Sequence, residues 1–375
     1  MKLSPDYFVD LATDFTAIDR KYRELFNHSG KISLFLSFEW FINLQTHVYE
    51  KDNTNNIEIY KITDINGKPV MVLPMNRTYS TGLISINTLE SMSNYYTSFF
   101  APLIKDNDIF EPAFSTVIND LSCNKYKKTD VICLKPIEKN SSQWDSIVSI
   151  LKLHNYTCEE YFCFGNWYQS VEGMEYIDYF NNLPSRLKNT IIRKTKKLNL
   201  RSNFNTKIYT QYEDIKKHYH EFEHVYENSW KNKEPYPEFI KRIALEFSKK
   251  SSTRLGILYI DNQPVAACLW FINNSVASIY KLAYIEEFKA LSVGTILSAE
   301  ITKYVINNDS ITIIDYLTGD DPYKRDWMST RRERWGIIAY NRKTLIGMIL
   351  ALRYIIVSKL KKLYNLRNNY FSHNN

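Results

Sequence analysis

The sequence predicts a mixed α/β protein made of two units in tandem, and three observations predict it. At 375 residues, rich in apolar and aromatic side chains, the chain can bury about two cores. Each half holds a hairpin signal: Asp64, Ile65, Asn66, Gly67 and Lys68 between NIEIYKIT and PVMVLPMNRT, then Asp261 and Asn262 between RLGILYI and PVAACLWFI. Between the two, near Glu172 to Asp178, the composition changes abruptly, and no acid occurs between Asp178 and Glu213. The expected units are therefore 1–170 and 171–342, followed by a basic amphipathic helix and tail over 343–375.

Taken in order, polar helical material opens the chain, and Ser37 is placed to cap a helix through FEWFINLQTHVYE, with Glu39 near its positive end. The first hairpin follows, then two stretches with strand composition, GLISINTLE and NYYTSFFAPLI. A helix near Ile109 to Leu121, a strand at DVICLKPI, a helix from about Trp144 to Leu153 and a strand around Tyr156 to Trp167 complete the first unit. In the second, Leu183, Leu187, Ile191, Ile192 and Leu198 recur at helical spacing, while Arg186, Lys188, Arg193, Lys194, Lys196, Lys197, Arg201 and Lys207 accumulate around them. This basic helix is either a solvated face or an anion site, suited to nucleic acid, acidic lipid, a polyanionic glycan or a phosphorylated ligand. A further helix through FIKRIALEFSKK, the second hairpin and the strand SVASIYKLAYI come next. Ser292 then stands as a cap, with Gly294 at the opening of an apolar helix whose free N–H groups suit a phosphate. Last, the β-branched run Ile311 to Ile314 reads as a buried strand delivering the polar loop TGDDPYKRDW, turned at Gly319.

Composition excludes several functions. A net charge of +7 suggests a basic face and not a histone-like binder. Cys123, Cys133, Cys158, Cys163 and Cys268 are odd in number and lack paired CxxC spacing, which argues against a disulfide framework or structural zinc and for a reducing, cytoplasmic setting. Acids precede any long apolar run at the N-terminus, so neither a secretory signal nor a span is expected there. His220 to His224 spells HEFEH, formally the HExxH zinc pattern with Glu221 as base, yet no HExxHxxGxxH continuation follows and Phe222, Val225 and Tyr226 give the helix an apolar stripe. A zinc peptidase is thus the least favoured alternative, and no metal is expected. In the tail, Leu345 to Val357 is apolar apart from Arg353, and Lys359, Lys361, Lys362 and Arg367 follow. It is too short for a span of roughly 20 apolar residues, so docking on the second unit is expected, with peripheral contact at an anionic inner membrane face as the alternative.

The order of hairpin, long strand, glycine-opened helix, buried strand and polar loop, carried by LPSRLKNTIIRKTKKL, SVGTILSAEI and IIDYLTGDDPYKRDW, resembles the acetyltransferase domain of the FemAB-like and CelD-like branch of the GNAT superfamily from Glu172 to Tyr340. The amino-terminal half is similar to the degenerate first GNAT repeat that accompanies this domain. The resemblance implies two tandem GNAT-like domains, each a mixed, mostly antiparallel sheet flanked by helices. It also implies transfer of an acetyl or other acyl group from acyl-CoA to an amine or hydroxyl, on a cell-envelope sugar, a polysaccharide precursor or a similar acceptor. An aminoacyl transferase using charged tRNA and a non-catalytic binding module are the alternatives. By position, the resemblance places the coenzyme A pyrophosphate on the amides around Ser292, Val293, Gly294 and Thr295. Asp320 would orient or deprotonate the acceptor, Lys324 would stabilise negative charge and Tyr323 would protonate the leaving thiolate. Tyr280, Asp315 and Arg193 are the candidate substrate contacts, although alternation along a strand allows only one of Tyr280 and Lys281 to face a cleft squarely.

Overall fold

The computed structural model describes residues 7–52, 56–80, 82, 85–123, 127–200 and 203–372, with side chains as far as 361, so Arg201 and the side chains of Lys362 and Arg367 lie outside the described parts. The first half runs β1 (Tyr7–Ala12), α1 (Arg23–Ile32), α2 (Phe38–Leu44), β2 (Ile57–Asp64), β3 (Pro69–Tyr79), β4 (Asn87–Ser91), β5 (Leu103–Ile104), α3 (Phe110–Ser122), β6 (Val131–Glu138), α4 (Ser142–Leu153) and β7 (Tyr156–Ser170). The second runs α5 (Tyr176–Asn182), α6 (Ser185–Asn199), β8 (Phe204–Tyr209), α7 (Tyr212–Glu227), α8 (Pro237–Ser248), β9 (Thr253–Ile260), β10 (Gln263–Asn273), β11 (Val276–Tyr284), α9 (Val293–Asn308), β12 (Ile313–Asp315), α10 (Lys324–Trp327), β13 (Thr330–Asn341) and α11 (Leu345–Ser372).

Local chemistry sets many of these elements. Ser37 Oγ accepts the Trp40 N–H at 3.2 Å and starts α2. Asp261 and Asn262 both adopt positive φ, as a two-residue hairpin turn between β9 and β10 requires. Four stretches differ from expectation. The opening of the chain is a strand, β1, before it becomes helical. NYYTSFFAPLI is mostly loop and contributes only the two residues of β5. The strands β8 and β13 were not anticipated.

The strands form one continuous sheet, in the order β1-β2-β3-β4-β6-β13-β7-β12-β11-β10-β9-β8, with β5 on β3. Among the described residues, only β4 with β6 and β11 with β12 are parallel. Each parallel pair is reached by a helical crossover, α3 in the first half and α9 in the second, because parallel strands cannot be joined by a tight turn. The halves therefore repeat one plan of an antiparallel meander, a crossover helix, a parallel strand and a last long strand. They also exchange those last strands. β13, from the second half, lies between β6 and β7, and β7, from the first, lies between β12 and β13.

Both faces of this sheet are covered. On β10, Ala267, Leu269 and Phe271 face one apolar cluster, shared with α7 and α8 and with the first half, while Cys268 and Trp270 face another beneath α5, α6 and α9. The Trp40 ring of α2 meets Phe239 of α8 edge-on at 5.2 Å, joining the two halves on one face. Among the described residues no helix is long and apolar enough to cross a membrane.

Candidate functional site

The site begins where a parallel pair comes apart. β11 and β12 are paired only at Val276↔Ile313, Ala277↔Ile314 and Ser278↔Asp315, after which β11 runs on to Tyr284 and the backbone beyond β12 turns away. Asp315 makes that turn. Its buried carboxylate accepts the Leu317 N–H and the Asn166 Nδ2, each at 2.6 Å, and ion-pairs with Arg332. Leu317 takes positive φ in consequence, and Gly319 does so two residues on. The predicted substrate contact Asp315 is thus fully engaged in shaping the cleft.

Between the parted strands lies a cavity of about 240 Å³, lined by β11 from Ile279 to Leu282, by the loop after β12 and by Lys231 from the loop after α7. Tyr95, Tyr96 and Ser98 reach it from the first half. A β-bulge falls opposite Tyr280, so strict alternation fails and both Tyr280 and Lys281 line the cavity. Lys281 ion-pairs with Glu234, which also accepts the hydroxyls of Tyr226 and, at 2.9 Å, Tyr96. Burial pushes the Lys281 amine down and would raise the Glu234 carboxyl, but the lysine and the two tyrosines outweigh burial and hold that carboxyl low. The Tyr280 hydroxyl is buried with no hydrogen-bond partner among the described residues.

The polar loop contributes unequally. Lys324 is 4% exposed, and its three donors go to the carbonyls of Thr318 at 2.5 Å and Gly319 at 3.2 Å and to the Asp321 carboxylate at 3.2 Å. It is a clasp for the loop, with its charge balanced inside it. Asp320 stands outside the cavity lining, against Gly165 of β7, where Arg331 binds both its oxygens and Trp167 Nε1 donates at 2.9 Å. Arg331 holds the Asp320 carboxyl below its ordinary value, so this acid is a poor proton acceptor. Asp321, one residue on, lines the cavity in its place. Tyr323 also lines it, edge-on to Tyr316, and burial and Asp321 push its phenol up to about 12.

Lys231 is the cation left over. No hydrogen bond or ion pair engages its amine among the described residues, although it lies over the rings of Tyr226 and Trp230. Burial and the nearby Lys281 lower it to about 8. Sequence reasoning missed Lys231, which sits in a loop with no motif, and missed the Tyr95 and Tyr96 pair because their aromatic stretch has strand composition.

The predicted phosphate site lies at the far end of β11. Ser292 takes positive φ, and no side chain caps the amides of Val293, Gly294 and Thr295 ahead of the first helical bond, Ile296 N–H to Ser292 O. A Cβ on Gly294 would stand 2.9 Å from Tyr284 Cδ1, so glycine lets the helix start close against β11. Tyr284 in turn packs on Trp230 at 4.2 Å, next to Lys231. Ser292, Val293, Gly294 and Thr295 are not part of the cavity lining, but they adjoin the strand that forms it. Arg193 is exposed on α6 and outside the lining, beside Lys194, whose amine reaches the Ala290 carbonyl ahead of α9. In the HEFEH stretch, Glu221 is bound by the Tyr259 hydroxyl and His220 Nδ1 lies 2.9 Å from the Lys217 carbonyl oxygen. No cluster of three potential metal ligands occurs among the described residues.

Residues 185–325 match the family model of the acetyltransferase (GNAT) domain. A crystal structure of FemX is similar, with a TM-score of 0.54 at 10% identity over 81% of this chain and 95% of that one. A conserved protein of unknown function from Bacteroides thetaiotaomicron VPI-5482 gives 0.52 at 10% identity, covering 89% of this chain and 100% of the other. A search of curated protein sequences finds no match. Taken with the splayed parallel pair and the glycine-opened helix beside it, residues 185–325 are similar to a GNAT acetyltransferase domain, set in a chain whose fold is similar to that of FemX.

Proposed function

We propose that this chain transfers an acetyl or other acyl group from acyl-CoA to an amine or hydroxyl of a cell-envelope sugar or polysaccharide precursor, in the cleft where β11 and β12 part. The observation that carries this reading is the edge of β11 from Ile279 to Tyr284, which β12 leaves unpaired ahead of the Ser229–Ile285 bridge and which ends near the uncapped amides of α9. An amide-bearing, phosphate-ended donor fits it, with the amide arm along the open strand edge and the pyrophosphate at Val293, Gly294 and Thr295. The acceptor nitrogen or oxygen attacks the thioester carbonyl carbon, its proton passes to the neutral Lys231 amine, and the C–S bond breaks. Tyr323, kept protonated by its raised pKa, gives its proton to the departing sulfur. Lys324 and Asp315 position the loop and take no part in proton transfer. Five unpaired cysteines support a reducing, cytoplasmic setting.

Thiol release from acetyl-CoA, measured with amine-bearing sugars as acceptors, tests this reading. Turnover should rise with pH through about 8, as Lys231 loses its proton. Lys231→Met should lower turnover on the order of a hundredfold and remove that rise. Full activity in the variant would sink the role of Lys231. A second reading, in which the donor is an aminoacyl ester of tRNA, draws on the outer face of α6, where Arg186, Arg193, Lys196 and Lys197 are exposed with no acid paired to them among the described residues. Sharply salt-dependent binding of charged tRNA would favour it.

A further inference from the structure

We propose that α11 is an amphipathic anchor that lays the protein on an anionic lipid surface. Docking on the second unit, expected from the sequence, accounts for one side of this helix only. On that side Ala351 is 2% exposed, Gly347 packs against the carbonyls of Asn341 and Asp130, and the Tyr354 ring lies 6.0 Å from Tyr340 of β13. The opposite side carries Leu345, Met348, Ile349, Leu352, Ile356 and Leu360 at i, i+3 and i+4 spacing, all between 42% and 66% exposed. At 1.5 Å per residue the stripe is roughly 22 Å long. A continuous bare apolar stripe of that length marks an interaction surface.

Charge identifies what covers it. The helix carries Arg353, Lys359, Lys361, Lys362 and Arg367, and from Arg334 to Asn375 the sequence contains neither Asp nor Glu. A second copy's α11 would bring the same positive charges against these, with no acid of its own to meet them. An anionic bilayer surface takes up the stripe and neutralises the basic residues together. Lys359, near the end of the stripe, reaches the headgroups along its flexible stem while its methylenes stay with the apolar side. Because the helix is not long and apolar enough to cross, it lies in the plane of the interface.

The full chain is sedimented with vesicles of phosphatidylcholine alone and of phosphatidylcholine mixed with phosphatidylglycerol. Pelleting with the mixed vesicles, little with phosphatidylcholine alone and release by salt are expected. Leu352→Glu combined with Ile356→Glu should abolish it with the melting temperature unchanged, since both side chains face away from the core. Lys359→Glu combined with Lys361→Glu keeps the apolar stripe and should weaken binding at least about thirtyfold. Equal binding to both vesicle types, or binding to neither, would overturn the proposal. So would a dimer in analytical ultracentrifugation that the Leu352 and Ile356 pair of substitutions dissolves while vesicles fail to pellet the protein, which would make a second copy the occupant.

Discussion

Lys324 is buried and Lys231 half-buried in one cleft, and their surroundings give them opposite tasks. Lys324 has each of its donors matched by an acceptor of its own loop, whereas Lys231 has none among the described residues. Lys324→Met should therefore act through geometry. We expect a loss of about 2 kcal/mol of stability from the hydrogen bonds to a charged group, together with reduced turnover whose pH rise through about 8 stays in place. Thermal denaturation and a pH-rate profile check this, and loss of that rise would instead put Lys324 in the proton path. The polar loop itself was legible in the sequence, because Gly319, the acids and Lys324 crowd behind a β-branched run. Which acid faces the cavity was not. Asp320 and Asp321 are adjacent, and only the distant Arg331 and Trp167 draw the first of them away. Lys231 was illegible for a similar reason, since its significance comes from Lys281 and the burial that the fold imposes.

At the scale of elements, hairpins and capped helices were readable because their signals are local: Asn66 and Gly67, Asp261 and Asn262, Ser37. Elements held by distant partners were not. NYYTSFFAPLI has strand composition, yet it crosses from β4 toward β5 as a loop, with Phe100 N–H bonded to the Pro136 carbonyl and Tyr96 turned toward Glu234. In the outer sheet of the first half, Arg77 of β3 lies buried and binds Glu58 of β2 through both oxygens at 2.6 Å, while Tyr60 donates to the same carboxylate. Burial would raise the Glu58 carboxyl, and these bonds outweigh it and leave it low. A lowered folded-state value means that the pair stabilises above the unfolded carboxyl value of about 4.3 and is lost as pH falls through the folded one. Glu58→Gln leaves Arg77 uncompensated and should cost about 3–5 kcal/mol at neutral pH. Melting curves from neutral to acid pH test this, since the variant should lose less stability on acidification than the wild type. Parallel losses would contradict it.

Over the whole molecule, the exchange of β7 and β13 interlocks the two halves, and we expect them to fold as one unit. The boundary expected near 170 falls at the end of β7, whose neighbours β12 and β13 both come from the second half. No sequence period announces this, because TRRERWGIIAYN shows its pairing only against its partners β6 and β7. Residues 171–375 expressed alone should be aggregated or unfolded, with β12 lacking one partner strand and β13 lacking both, and co-expression with 1–170 should restore a soluble complex. A monomeric, cooperatively melting 171–375 fragment would show that the exchange is dispensable. The central claim, that the cleft beside α9 receives an acyl-CoA, is tested most directly by calorimetric titration of acetyl-CoA and longer acyl-CoAs into the wild type and into Gly294→Trp, with circular dichroism to show that the variant is folded. The account predicts saturable binding to the wild type that the folded variant loses, because an indole at 294 collides with Tyr284 and covers the uncapped amides. Absence of binding by the wild type, or equal binding by both proteins, would contradict it.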